Sequence, residues 1–329
     1  MQAILTVTLP FFALVLCGYL AARRRLLPAA AIPGLNAYVL YFALPCMLFR
    51  FGASMPFAEL IDPTLIGVYA LCALLIVALT VRLTRRRVGL KNAAFGALVA
   101  AFPNSGFMGV PLLVALHGDA AAGPVIGTLL VDLFLTSTLC LALAHAEPHD
   151  PVDGPTQGSA LAAVGRSLRA ALANPQPWAI ALGALAAAAS VRLPAAPAQF
   201  VKMLAESASP VALFTIGAVL WRAGRHAHTR TPLREVLPVA LIKLVVQPLL
   251  VGAVGLAARA AGLPVSGFGL MVLVLAAALP SASNVSLLAE RFGADNGRIA
   301  HIIMASTVLA FVSFTLIAWG LGGAAASSR

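Results

Sequence analysis

FPNSGFMGVPLL, Phe102–Leu113, lies inside a long apolar segment, and its reading decides the fold. A helix crossing a bilayer keeps its backbone hydrogen bonds unbroken, because hydrocarbon offers no water to a freed amide or carbonyl. Pro103 lacks an amide hydrogen, and Pro111 repeats the defect two turns later. Between them stand Asn104, Ser105, Gly106 and Gly109, residues that tolerate open backbone and offer hydrogen-bond partners. Such a break at membrane depth is tolerated only where it is buried in protein or lines a cavity. The stretch is therefore either a plain proline bend or the unwound middle of a broken helix.

The surrounding chain is that of a polytopic membrane protein. Of 329 residues, 61% are hydrophobic and 10% charged, with mean hydropathy +0.96. An average soluble domain carries about 25% charge, so a soluble enzyme is excluded. The net charge of +11 resides in short loops between apolar runs. That placement suits topology and anionic headgroups, and no nucleic-acid partner is expected. Cys17, Cys46, Cys72 and Cys140 fall inside apolar runs without CxxC spacing, so they read as packing residues rather than disulfides or metal ligands. No basic residue precedes the first apolar run, whereas Arg23, Arg24 and Arg25 follow it. This reverses the order of a secretory signal, and the segment is expected to stay as a first span with its N-terminus outside.

Ten spans can be drawn: Gln2–Ala22, Ile32–Phe51, Asp62–Leu83, Asn92–His117, Ala122–His145, Pro175–Val191, Ala196–Trp221, Glu235–Arg259, Val265–Phe292 and Asn296–Leu321. A polar stretch, Glu147–Asn174, divides residues 1–146 from 175–329. Its first part reads as a flexible cytoplasmic linker, and SALAAVGRSLRAAL (Ser159–Leu172) as a short amphipathic surface helix. Arg50, Arg192, Lys202, Arg259 and Arg329 fall on the outer side, Lys243 lies within a span, and the other Lys and Arg residues lie at inner ends and loops. The positive-inside rule then places both termini outside.

The halves echo each other. LPCMLFRFG (Leu44–Gly52) in the second span, with Pro45 inside it, matches SPVALFTIG (Ser209–Gly217) in the seventh, with Pro210. FPNSG in the fourth span has a counterpart in LPSASN (Leu279–Asn284) in the ninth, built on Pro280. Five spans per half is an odd number, so the halves are expected in opposite orientations. Inverted repeats with interrupted helices at matching positions mark the binding site of secondary transporters. Half-helix N-termini facing such a crossing favour an anionic ligand.

Pro103–Leu113, read as PNxxxMGxPLL, resembles the auxin efflux carrier family, including its bacterial members. LNAYVLYFALPCMLF (Leu35–Phe49), NPQPW (Asn174–Trp178), KLVVQPLL (Lys243–Leu250) and LPSASN fit the same family. FALPCMLF and KLVVQP resemble its malonate-carrier-like branch. The resemblance implies an all-helical fold with ten spans in an inverted five-plus-five repeat, the fourth and ninth broken and crossed. It further implies a scaffold domain beside a transport domain, a bacterial inner-membrane location and a homodimer, although no residue here specifies dimerisation.

Asn104 matches the family's crossover asparagine, which contacts a substrate carboxylate; Asn there also serves as a helix cap. Pro103, Ser105 and Gly106 open the backbone beside it, and Pro280, Ser281, Ser283 and Asn284 form the equivalent group. Asn36 is either site-lining or interhelical glue. Asp132 lies about ten residues, roughly 15 Å, into its span, where an ionisable group is costly. It either takes a coupling proton or sodium ion or makes a structural hydrogen bond. Glu206 is a second candidate for ion coupling. Lys243 either snorkels, pairs with a carboxylate or attracts the substrate, with Gln247 one turn on. Pro45, Pro111 and Pro210 complete the structural breaks.

No nucleophile elbow, HExxH, P-loop or Rossmann glycine pattern is present in the sequence. No enzyme activity, cofactor or metal is expected. The reading is a secondary carrier or uniporter of small carboxylates, malonate-like or auxin-like. A sodium-coupled symporter resembling the bile-acid carriers is the alternative, and a membrane sensor or enzyme the remote one.

Overall fold

Proline and glycine divide the apolar runs into helices. The computed structural model, which describes residues 2–56, 60–146, 160–191, 193–226 and 231–327, shows where each division falls. In chain order the helices are α1 (Gln2–Arg23), α2 (Ala31–Ser54), α3 (Pro63–Ala101), α4 (Ser105–His117), α5 (Asp119–His145) and α6 (Ala160–Ala173). They continue as α7 (Pro175–Ala188), α8 (Ala195–His226), α9 (Leu233–Ala260), α10 (Gly267–Ala277), α11 (Val285–Arg291) and α12 (Asn296–Ser327). Among the described residues seven helices are long and apolar enough to cross a membrane, and no strand is present beyond one isolated bridge. The protein is an all-helical, multi-pass membrane protein.

Three boundaries differ from the expected spans. Within α3 the third span and the first part of the fourth are two helices that meet directly at a kink, the first running on through the basic residues past Leu83. The kink falls at Gly89, whose φ of 78° and ψ of 165° belong to a region that essentially only glycine occupies. The sixth span, α7, is 14 residues and ends at Ala188 rather than Val191. The ninth is two pieces, α10 and α11, parted around Pro280.

Local chemistry accounts for several helix starts. Asp62 accepts from the amides of Thr64 (2.8 Å) and Leu65 (3.1 Å), and Pro63 follows at a position whose amide would be free anyway. Asn174 and Pro175 repeat that arrangement at α7, where Asn174 accepts from the Gln176 amide at 3.0 Å. Widened, π-type turns occupy Val39–Ala43, Ser105–Gly109 and Ile242–Val246, and a proline follows each two residues on: Pro45, Pro111 and Pro248. The wider turn relieves the clash between the proline ring and the preceding turn. A fourth such turn, Asp132–Thr136, has no proline; the Ser137 hydroxyl and amide both bond to the Asp132 carbonyl.

One continuous core runs from Val15 on α1 to Phe314 on α12, and two sets of contacts stand out around it. In one, α1 lies along α8 and α2 lies against α7 and α8. These contacts are backbone-close at glycine: a Cβ on Gly217 would strike the Val15 carbonyl, and one on Gly52 the Ile180 carbonyl. In the other, α3, α5, α9 and α10 share an apolar core that includes Leu65, Cys72, Val131, Val251 and Leu273. Helix α6 lies against α5 through Ser167 and Thr138, whose hydroxyls are 3.1 Å apart, and turns Arg166 and Arg169 outward, as an amphipathic helix should. The expected flexible linker, residues 147–159, lies outside the described residues.

Candidate functional site

The break between α3 and α4 meets the break between α10 and α11. Pro103 pairs with Ser281 in a single antiparallel bridge. The Asn104 amide donates to the Pro280 carbonyl at 2.8 Å, and the Ala282 amide to the Phe102 carbonyl at 3.0 Å. Each broken strand thus satisfies the backbone group that the other exposes, which is how open backbone persists in an apolar interior. The Ser281 hydroxyl fixes the crossing further by donating to the Val99 carbonyl at 2.8 Å.

A small cavity of about 30 Å³ lies against this crossing. Its polar wall is Asn104, Ser105, Asn174, Gln176, Ser283 and Asn284, and among the described residues no lining residue is ionisable. Phe107, Leu129 and Leu133 form the apolar side. Asn104 is 5% exposed and Gln176 is 4% exposed, and neither carboxamide has a hydrogen-bond partner among the described residues. Asn284 Oδ1 is likewise buried and unpartnered. Buried polar groups are ordinarily hydrogen-bonded, so the orphaned Asn284 Oδ1, beside two cavity-facing carboxamides, marks a place that can receive a polar group. The Ser105 hydroxyl already meets that of Thr128 at 3.0 Å, and Thr128 donates onward to the Val125 carbonyl.

Behind the crossing runs a second, charged group. Gln247 donates to the Ala101 carbonyl, the last of α3, at 2.7 Å. Lys243 donates to Gln247 Oε1 at 2.6 Å and to the Ala277 carbonyl, the last of α10, at 2.7 Å. The ammonium therefore sits at the negative end of the α10 dipole. Asp132 accepts from Tyr69 (2.9 Å) and from Thr136 (2.9 Å), and Tyr69 also lies 3.4 Å from the Ala101 carbonyl. Tyr69, Asp132, Lys243 and Gln247 are fully buried. One network thus holds both helix ends that lead into the crossing.

The sequence candidates divide accordingly. Pro103, Asn104, Ser105, Gly106, Ser283 and Asn284 line the cavity, whereas Pro280 and Ser281 hold the backbone bridge and do not line it. Asn36, on α2, does not reach the cavity either. Asp132, Lys243 and Gln247 come together, and Lys243 is buried rather than snorkelling. Glu206 does not join them: its side chain is 59% exposed, pairs with Lys202 at 3.8 Å, and lines a separate cavity of about 490 Å³ with Arg50 and Asp119. Pro45 and Pro111 follow widened turns, and Pro210 lies inside α8.

Sequence reasoning missed Tyr69, Asn174 and Gln176. The signal for Tyr69 was a lone hydroxyl in GVYALCALL, and for the others the polar NPQ at the head of an apolar run. Arg298 was also missed. It is 1% exposed, donates to the Asn92 carbonyl at 3.0 Å and packs over Gly96.

A multi-pass helical protein whose interrupted helices meet beside buried polar groups has the architecture of a membrane carrier. Residues 3–318 match the family described as "Membrane transport protein", and the chain belongs to that family, the auxin efflux carriers. It is 29% identical over 319 residues to a Rhizobium meliloti (strain 1021) protein named "Putative malonate transporter", covering 96% of this chain and 95% of the relative. "Uncharacterized transporter YfdV" of Escherichia coli (strain K12) is 27% identical over 308 residues, 92% of this chain and 93% of that protein. An "Uncharacterized transporter" of Methanothermobacter thermautotrophicus is 27% identical over 307 residues, with the same coverage.

Proposed function

We propose that this protein is a secondary carrier of small organic anions, malonate-like carboxylates first among them, with the crossing as its binding site. The observation that carries the reading is the buried, unpartnered carboxamide of Asn104 beside the open backbone. Its amide donors, with the N-terminal turn of α4, suit a carboxylate. The malonate-like assignment draws on the name of the Rhizobium relative.

The rest of the proposal follows the sequence symmetry. The chain forms an inverted five-plus-five repeat of ten spans in the bacterial inner membrane, with both termini outside. The two reciprocal amide bonds at the crossing support it, as do the matched glycines Gly52 and Gly217, each pressed against a helix of the opposite half. In this reading α1, α2, α7 and α8 are the scaffold, and the remaining spans move against it. The Arg50 cavity then faces outward, and Asn174 and Gln176 approach the site from inside.

Asp132 is assigned to ion coupling. It is fully buried with both oxygens held by hydroxyls, and an ionisable group at that depth is placed to take a coupling proton or sodium ion. Uptake of labelled small carboxylates into proteoliposomes tests the function. Asn104→Ala is expected to lower uptake about 10- to 100-fold, the worth of a hydrogen bond to a charged group, with thermal stability retained. Unchanged uptake kinetics in that variant would remove the crossing from the binding site.

A further inference from the structure

Among the described residues the cavity at the crossing is polar yet carries no charge, and that restricts the ionic form of what it accepts. Its lining offers carboxamides from three elements, Asn104 before α4, Gln176 on α7 and Asn284 before α11. Each carboxamide presents both a donor and an acceptor. The ionisable groups of the neighbouring elements are engaged elsewhere or lie outside the lining. Asp132 and Lys243 belong to the network behind the Ala101 carbonyl, on hydrogen bonds of their own. Arg298 donates through Nη1 to the Asn92 carbonyl, has Nε and Nη2 unpartnered among the described residues, and does not line the cavity; Arg166 and Arg169 lie on the exposed side of α6, and Glu290 and Arg291 are exposed at the end of α11.

The positive potential available is thus that of amide donors and of the α4 N-terminus, the latter worth roughly half an elementary charge. That favours one carboxylate, held by charge-assisted hydrogen bonds, and leaves no counter-charge for a second. A second ionised carboxylate would enter the same buried site without a cation, at a desolvation cost of several kcal/mol. The buried, unpartnered Asn284 Oδ1, by contrast, calls for a donor from the ligand, and the cavity-facing Gln176 carboxamide offers a second acceptor.

We propose that the species carried is a singly ionised acid that also presents a hydrogen-bond donor; for a dicarboxylic acid this is the half-protonated form. This rests on the carboxylate reading above. One carboxylate takes the Asn104 donors and the open turn, and the acid hydroxyl donates to an amide oxygen of Gln176 or Asn284. The cavity of about 30 Å³ holds one water-sized group, so the faces around it part to admit a three-carbon acid.

The test uses purified full-length protein in proteoliposomes, with equal pH on both sides and membrane potential clamped at zero. Three probes are compared from pH 5 to 8: malonate, its monoamide malonamate, and monomethyl malonate. Malonamate is a fixed monoanion with a donor, and monomethyl malonate a fixed monoanion without one. The ratio of malonate to malonamate uptake, which cancels any titration of the protein itself, is expected to fall about tenfold per pH unit above malonate's second ionisation. Monomethyl malonate is expected to move at least about tenfold more slowly than malonamate, as for a site whose buried acceptor is left unpaired. Gln176→Leu is expected to narrow that difference. A ratio that is flat or rises with pH overturns the inference while leaving the carboxylate carrier intact, because the dianion is then the cargo. Equal uptake of malonamate and monomethyl malonate overturns the donor requirement. If none of the three anions moves, the carboxylate reading falls, and this inference with it.

Discussion

At the scale of single residues, burial without water makes each polar group accountable for its partners. Lys243 and Asp132 are both fully buried, yet each is held by two hydrogen bonds from or to neutral groups. They do not touch, and are linked through Gln247, the Ala101 carbonyl and Tyr69. Lys243→Met leaves Gln247 Oε1 and the Ala277 carbonyl unpaired in the interior and is expected to destabilise the protein by about 1–3 kcal/mol. The double variant Lys243→Met with Asp132→Asn should regain part of that loss, as read by thermal unfolding in detergent. Additive losses would show that the two charges do not compensate each other. Asn104 behaves differently, having no protein partner to lose, so its substitution is expected to move uptake and not stability. The sequence made Asn104, Asp132 and Lys243 visible because polar side chains are conspicuous in apolar runs. It could not show that Ser281, equally conspicuous, turns to the Val99 carbonyl and away from the cavity.

At the scale of elements, glycine sets how closely helices approach and where they bend. Gly217 brings α8 onto the backbone of α1, where a Cβ would strike the Val15 carbonyl. Backbone cannot yield as a flexible side chain can, so Gly217→Leu is expected to cost more than the usual overpacking penalty of about 1–3 kcal/mol. The measured sign would be loss of monodisperse protein after detergent extraction, with normal behaviour arguing against the close contact. Gly89 is a separate case: there the backbone conformation, not space, excludes a side chain. Gly89→Ala should lower thermal stability by about 1–3 kcal/mol or straighten α3, the latter read as loss of transport at unchanged expression. The basic run around Arg85–Lys91 resembled a loop in the sequence because its composition is polar. Helical hydrogen bonding nevertheless carries through it to Gly89, since charged residues at a helix end keep their heads in water.

At the scale of the molecule, the arrangement in the membrane yields a direct prediction. With Cys17, Cys46, Cys72 and Cys140 replaced, a cysteine at Ser190 should react with an impermeant maleimide on intact cells, and one at Arg86 only after permeabilisation. The opposite pattern would invert the orientation and exchange the two cavities between the faces of the membrane. The positive-inside asymmetry on which this rests was entirely legible in the sequence. The seating of Asn174 and Gln176 beside the crossing was not, because they stand about seventy residues from Asn104 and about a hundred from Asn284 along the chain.

What the sequence determined alone is local and one-dimensional. Apolar length made the spans, prolines without amides opened two of the apolar runs, and the echo between FPNSG and LPSASN paired the two breaks. Tertiary structure decided which groups those breaks spend on one another and which they leave free. The Pro103–Ser281 bridge uses the backbone, the network of Lys243 and Gln247 caps the two helix ends, and the carboxamides of Asn104, Gln176 and Asn284 line the cavity without partners among the described residues. The physical reason is that hydrogen-bond satisfaction depends on distance in space, and in an apolar interior each polar group must find its partner across elements that the chain order keeps apart.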